Sequence, residues 1–93
     1  MGGPAVSVIL PVYNGAEFLQ SSVKSILIQR LENFELIIVN DGSTEQTESI
    51  AKQFASEDSC VQLITIAHSG VALAFNSGIE KAKAEAKVKN YSS

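Results

Sequence analysis

Cysteine and long apolar runs are the scarcest features of this 93-residue chain, which has one cysteine and no tryptophan. The lone thiol, Cys60, cannot form an internal disulfide and has no second thiol with which to build a metal site. We expect it half-buried at the start of a strand. No apolar stretch approaches the roughly 20 residues that cross a bilayer, and no signal-peptide pattern opens the chain. These absences predict a cytoplasmic protein without a transmembrane segment.

Charge of one sign is also scarce. The net charge is -3, and the only basic cluster, in the carboxyl-terminal tail, is interrupted by acidic residues. Binding to nucleic acid through a basic face is therefore excluded as a main function. The apolar share of 45 % and the charged share of 18 % describe a core-forming globular chain,. Its length suits one domain, which we assign to residues 1–93.

Two common nucleotide-binding motifs are missing. No G-x-G-x-x-G follows the first strand, which argues against a dinucleotide site, and no phosphate-binding G-x-x-x-x-G-K-[ST] loop is present. A phosphoacceptor domain is also disfavoured, because Tyr13, Asn14 and His68 stand where such a domain needs acidic residues.

What the chain does contain is an alternation of strands and helices. Short β-branched runs at residues 6–10, 35–39 and 61–66 predict buried strands,. Apolar residues at helical spacing follow each of them, and the predicted buried faces are Leu19, Val23, Ile26 and Leu27, then Ile50, Ala51, Phe54 and Ala55, then Phe75, Gly78, Ile79 and Ala82,. The pattern predicts an α/β fold with a parallel three-stranded sheet in βαβαβα order, an incomplete Rossmann-like half.

That topology has a consequence for the surface. If the strand order is 3-2-1, successive right-handed crossovers put the helices on one face of the sheet. We then expect an uncovered apolar face and an open edge on the first strand. Both favour association between copies of the chain, so we expect a homo-oligomer formed through that face or edge.

The candidate site lies at the carboxyl ends of the strands, where open parallel sheets bind ligands. Tyr13 follows the first strand and either stacks on a ligand ring or packs over the sheet edge. Asp41 follows the second and either accepts hydrogen bonds from a ligand or makes an ordinary turn or helix cap. His68 follows the third without a paired acid, and we expect it to be a solvated loop histidine.

Three blocks of this sequence together resemble the start of family 2 glycosyltransferases. Residues 6–14 (VSVILPVYN) resemble that family's opening strand, and residues 35–44 (ELIIVNDGST) its second strand and acidic turn. Residues 68–79 (HSGVALAFNSGI) are similar to its third block, N-x-G-x-x-x-A-R-N-x-G. The likeness covers about residues 5–86, and the tail at 87–93 does not share it.

The resemblance implies a GT-A fold and a nucleotide-sugar donor, commonly a UDP-sugar, whose sugar passes to an acceptor hydroxyl with inversion. By position, Tyr13 would stack on the base beside Pro11, and Asp41 would hydrogen-bond its imide edge. The full set of implied donor-binding residues is Pro11, Tyr13, Asn14, Asp41, Gly42, Ser43 and Gly70. A full-length relative is expected to use Mn²⁺ or Mg²⁺ and to be cytoplasmic, with peripheral association to the membrane.

The chain departs from the family pattern at two places. Phe75 replaces the usual arginine and is expected to pack on the sheet, and His68 replaces an asparagine. A fourth strand ending in an Asp-x-Asp metal site should follow at about Lys87, where the sequence reads AKVKNYSS instead. We therefore assign no catalytic or metal-binding residue, and expect a donor-binding segment that is inactive alone. The alternative is a non-catalytic interaction module that associates through its uncovered face.

Overall fold

Seven secondary-structure elements make up the computed structural model, which describes residues 6–28, 34–43, 45–82 and 88–90. In chain order they are β1 (Val6–Val12), α1 (Ala16–Ile28), β2 (Phe34–Asp41), α2 (Glu45–Glu57), β3 (Val61–Ile66), α3 (Val71–Lys81) and β4 (Val88–Asn90). All residues of β1 and β2 are buried. Their nearly continuous apolar composition follows from this, because both faces of a central parallel strand are covered.

Within the described residues, the sheet has four strands in the order β3-β2-β1-β4, and every neighbouring pair is parallel. The predicted three parallel strands in βαβαβα order are confirmed. The expectation that the first strand has an open edge is wrong, because β4 pairs with Ser7, Val8 and Ile9 of β1. The structure describes three residues of β4, Val88–Asn90, which are too few to carry a periodic pattern,.

One face of the sheet packs against α1 and α2. Leu19, Val23 and Ile26 of α1 are buried there against β1 and β2, as predicted. From α2, Ala51 is buried, and Ile50, Phe54 and Ala55 pack around it. The helical stripes in the sequence therefore identified the buried faces of α1 and α2 correctly.

The opposite face is covered in part by α3, so the expectation of a bare face is wrong. The chain adds β2 and β3 on one side of β1 and then crosses back to add β4 on the other side. Reversing the direction of a right-handed crossover moves its helix to the other face of the sheet. Ala74 of α3 is fully buried against Ile9, Ile37 and Val39. This coverage removes the reason for expecting copies of the chain to associate through that face.

Gly78 sets how closely α3 approaches the sheet. A Cβ at this position would overlap Cγ2 of Ile9 and lie 3.2 Å from Cγ2 of Val39. Both side chains are completely buried and have no room to withdraw. Phe75 and Ala82 also face the sheet, as predicted, whereas Ile79 is 41 % exposed. The predicted buried face of the third helix therefore needs correction, because Ala74 belongs to it and Ile79 does not.

A buried polar ladder joins three strands on the α3 face of the sheet. The hydroxyl of Ser7 donates to Oε2 of Glu35 over 2.6 Å, and Nε2 of Gln62 donates to Oε1 over 2.8 Å. Glu35 is only 4 % exposed. These bonds satisfy polar groups that would otherwise be costly to bury.

Cys60 is half-buried directly before β3, as expected. No helix within the described ranges combines the length and the apolar character that a bilayer crossing requires.

Candidate functional site

The register of the sheet brings three strand ends to the same edge. Val12 at the end of β1 lies level with Asn40, and Asp41 at the end of β2 lies level with Ile66 at the end of β3. The turns that follow these strands therefore converge. The reversal of strand order between β1 and β4 puts a topological switch point beside Tyr13, which is where open α/β sheets form their ligand crevice.

The carboxylate of Asp41 is the centre of this edge. The residue is 3 % exposed. Its Oδ1 accepts the backbone N–H of Ser69 over 2.7 Å, and its Oδ2 accepts that of Gly70 over 3.0 Å. Hydrogen bonds to a charged group contribute about 1.5–3 kcal/mol each. Asp41 therefore anchors the loop between β3 and α3. The two predicted alternatives were a contact with a ligand and a local turn or helix cap, and neither included this long-range contact.

Gly42 allows this loop to come close. Its φ is 73°, and an added Cβ would lie 2.8 Å from the backbone nitrogen of His68. A side chain at this position would be strained by the backbone conformation and would also push the loop away from Asp41. Gly42 thus contributes by leaving room for the loop at His68, since it has no side chain to make a contact.

His68 connects Asp41 to Tyr13. Its Nδ1 lies 3.1 Å from Oδ2 of Asp41 and 3.2 Å from the same residue's carbonyl oxygen. Its ring stacks on Tyr13, with centroids 4.0 Å apart and planes inclined by 25°. The side chain is 54 % exposed. The prediction of a solvated loop histidine was therefore incomplete, since the ring is half exposed but has two specific partners.

Ser43 links the first two turns. Its hydroxyl donates to the carbonyl of Val12 over 3.2 Å and accepts the N–H of Asn14 over 2.9 Å. The N–H of Ser43 in turn donates to Oδ1 of the buried Asn40 over 2.9 Å, which closes a tight turn after β2,. Asn14 has a φ of 50°, so its backbone lies in the left-handed region between β1 and α1.

The predicted donor-binding residues fall into two groups. Tyr13, Asn14, Gly42, Ser43 and Gly70 surround the edge at its surface, and Tyr13 is 51 % exposed. Pro11 and Asp41 are buried beneath them. Phe75 packs on the sheet beside Ile9, Ile37 and Val39, as expected for the residue that replaces the family's arginine. His68 is the residue that sequence reasoning undervalued. The departure from asparagine at this position was the only signal for it.

The side chains that commonly bind divalent metal ions are those of His, Cys, Asp and Glu. Within the part of the chain that the structure describes, no three of these residues cluster closely enough to hold an ion. The edge presents one buried carboxylate, two stacked and half-exposed aromatic rings and a glycine-containing loop.

The fold defines the class of protein. A mannosyltransferase from Pyrobaculum calidifontis, solved in complex with GDP-Man and Mn²⁺, superposes with a TM-score of 0.70 at 27 % identity. The match covers 86 % of this chain and 25 % of the mannosyltransferase. The chain thus has the sheet and helices of a GT-A glycosyltransferase.

The family follows from sequence. The model of glycosyl transferase family 2 matches residues 7–88, so this chain belongs to that family. It is 38 % identical over 80 residues to the uncharacterized glycosyltransferase EpsJ of Bacillus subtilis, a match that covers 86 % of this chain and 23 % of EpsJ. It is 39 % identical over 82 residues to an uncharacterized glycosyltransferase of Rickettsia typhi, covering 88 % of this chain and 25 % of that one. The chain therefore spans about a quarter of the length of these relatives.

Proposed function

We propose that this chain is the donor-binding segment of an inverting glycosyltransferase, and that it holds the nucleotide of a nucleotide-sugar at the carboxyl edge of its sheet. The observation that carries the proposal is the convergence of the Tyr13 ring, the buried Asp41 carboxylate and the loop of residues 68–70. The complex of the mannosyltransferase with GDP-Man supports a nucleotide-sugar as the donor.

The carboxylate determines which bases fit. An ionised Asp accepts hydrogen bonds and donates none. Uracil carries a ring N–H between two carbonyls, and guanine carries a ring N–H beside an amino group, so both can donate to Asp41. Cytosine and adenine present an unprotonated ring nitrogen in the corresponding place, which a carboxylate repels. We propose a UDP-sugar as the donor, and guanine is the second base that the site chemistry allows.

Tyr13 supplies the second contact. Stacking between a base and an aromatic ring contributes about 1–3 kcal/mol, and a charge-assisted hydrogen bond contributes a similar amount. Each contact alone would give weak binding. Together they select a planar base with a ring N–H, which neither contact does by itself.

The transfer chemistry is assigned to the full-length protein. In the full-length protein, Mn²⁺ or Mg²⁺ would supply positive charge beside the leaving diphosphate, and a general base would deprotonate the acceptor hydroxyl. No cluster of the residues described here would hold the metal. The mannosyltransferase complex contains Mn²⁺, which supports the metal. The residues described here contribute recognition of the base.

A panel of nucleotides tests the proposal. We expect calorimetry on the 93-residue chain to show binding of UDP or GDP at least about fivefold tighter than that of CDP and ADP, since a mismatched hydrogen-bond partner typically costs about 1–3 kcal/mol. Equal affinities for all four nucleotides, or binding of none of them, would contradict the proposal.

A matched pair of variants connects the affinity to the site. Tyr13→Ala should weaken binding of UDP by about fivefold or more. Glu57→Gln, at the exposed carboxyl end of α2 and therefore at the opposite edge of the sheet, should leave it unchanged. Equal affinities of the two variants would place the nucleotide elsewhere.

A further inference from the structure

The imidazole of His68 makes the two contacts that the proposed function gives to the nucleobase. It stacks on Tyr13 at a centroid distance of 4.0 Å, and its Nδ1 lies 3.1 Å from Oδ2 of Asp41. The two groups that face Nδ1, the carboxylate and the carbonyl of Asp41, are both acceptors. Nδ1 must therefore carry the hydrogen. A flat ring that donates one N–H to Asp41 is what uracil would also present.

We propose that His68 is an internal competitor of the base, so that the nucleotide binds only after the imidazole leaves Asp41 and Tyr13. This inference rests on the proposed function, because it assumes that the base uses these two residues. It makes His68 a residue that sets donor affinity, at the position where the family usually carries asparagine.

The geometry allows the ring to leave without moving the loop. The loop is fixed to Asp41 by the backbone N–H groups of Ser69 and Gly70, whereas His68 is fixed to it by the side chain. The His68 side chain is 54 % exposed, so a change of rotamer carries the ring into solvent. Oδ2 of Asp41 then keeps its hydrogen bond from Gly70 and can accept a second hydrogen bond from the base.

Competition of this kind lowers the apparent affinity by the fraction of molecules that are open. If the closed arrangement outnumbers the open one by about ten to one, removing the imidazole strengthens nucleotide binding by about tenfold. A histidine that merely supported the fold would have the opposite effect, because its loss would loosen the loop and weaken binding.

The test measures UDP affinity for the wild-type chain, His68→Ala and His68→Asn, with Glu57→Gln as the control. We expect both His68 variants to bind UDP about tenfold tighter than the wild type, and Glu57→Gln to match the wild type. His68→Asn restores the usual family residue, and it covers the case in which His68→Ala fails to fold. Wild-type or weaker binding in the folded His68 variants would overturn the competition but leave the proposed function standing. No binding of UDP or GDP by any variant would overturn both.

A second measurement is independent of affinity. Proton NMR of the free chain should show nuclear Overhauser contacts between the rings of Tyr13 and His68, and saturating UDP should abolish them. Contacts that persist at saturation, or that are missing in the free chain, would overturn the competition.

Discussion

Replacing Asp41 by asparagine should destabilise the loop of residues 68–70 even when no ligand is bound. The substitution keeps the shape of the side chain but exchanges one acceptor oxygen for an NH₂ donor. In the wild type both oxygens are engaged, by the N–H of Ser69 at 2.7 Å and by that of Gly70 at 3.0 Å. One of these two N–H groups must then face another donor. The best orientation keeps the shorter bond to Ser69 and gives up the one to Gly70.

The magnitude follows from burial. Asp41 is 3 % exposed, so water can replace the lost acceptor only if the loop moves. Losing a charge-assisted bond and leaving a donor unsatisfied costs roughly 1.5–3 kcal/mol, and we take about 2 kcal/mol for Asp41→Asn. For a domain of this size a loss of 2 kcal/mol lowers the melting temperature by about 8–16 °C.

Urea unfolding followed by circular dichroism measures this directly. We expect a lower midpoint for Asp41→Asn with an unchanged m-value, the signature of lost stability without a change in compactness. Glu57→Gln, which alters an exposed carboxylate far from the loop, should unfold like the wild type. A midpoint for Asp41→Asn that equals the wild-type value would refute the anchoring role of the carboxylate.

Two further substitutions test the packing and the link between the turns. Gly78→Ala should destabilise the chain by about 1–3 kcal/mol in urea unfolding, because its Cβ overlaps the buried Ile9,; Asn76→Ala, exposed on the same helix, should be neutral or slightly stabilising,. A stabilised Gly78→Ala would show that α3 can move off the sheet freely. Ser43→Ala should cost about 1–2 kcal/mol in the same assay, since it removes both bonds that join the first two turns,. A loss no larger than that of Ser56→Ala, an exposed serine, would mean that Ser43 does not hold the turns together.

The core of the fold could be predicted because buried positions are mostly occupied by apolar residues. Strands covered on both faces are apolar at most positions, and β1 and β2 are buried along their whole length,. Their buried polar residues, such as Ser7 and Glu35, are hydrogen-bonded. Helices covered on one face carry a stripe, and Leu19 and Val23 are its fully buried members in α1. These are local patterns, so one sequence is enough to read them.

The face covered by α3 could not be predicted from such patterns. It depends on which side of β1 receives the next strand, and that strand, β4, has three residues. Ala74 of α3 is fully buried, yet alanine is common on exposed helix surfaces as well. The predicted bare face was therefore wrong, although the helix itself was correctly expected.

The position of the candidate site was predicted from sequence, but the hydrogen bonds within it were not. Parallel strands bring their carboxyl ends to one edge, which placed Tyr13 and Asp41 near the third turn from sequence alone. Two partners of the Asp41 carboxylate are backbone N–H groups 28 and 29 positions away, and the third is the ring of His68. Backbone groups are the same in every residue, so no residue type marks them. Only the three-dimensional structure shows that the carboxylate already has partners before a ligand arrives.

An amide NMR titration of the 93-residue chain with UDP, with and without Mn²⁺, shows which residues the nucleotide contacts. We expect saturable shifts confined to residues 12–14, 40–43 and 68–76, at the carboxyl edge of the sheet. A well-dispersed spectrum that does not respond to UDP or GDP, or shifts centred at the opposite edge, would contradict the claim that this edge binds the donor nucleotide.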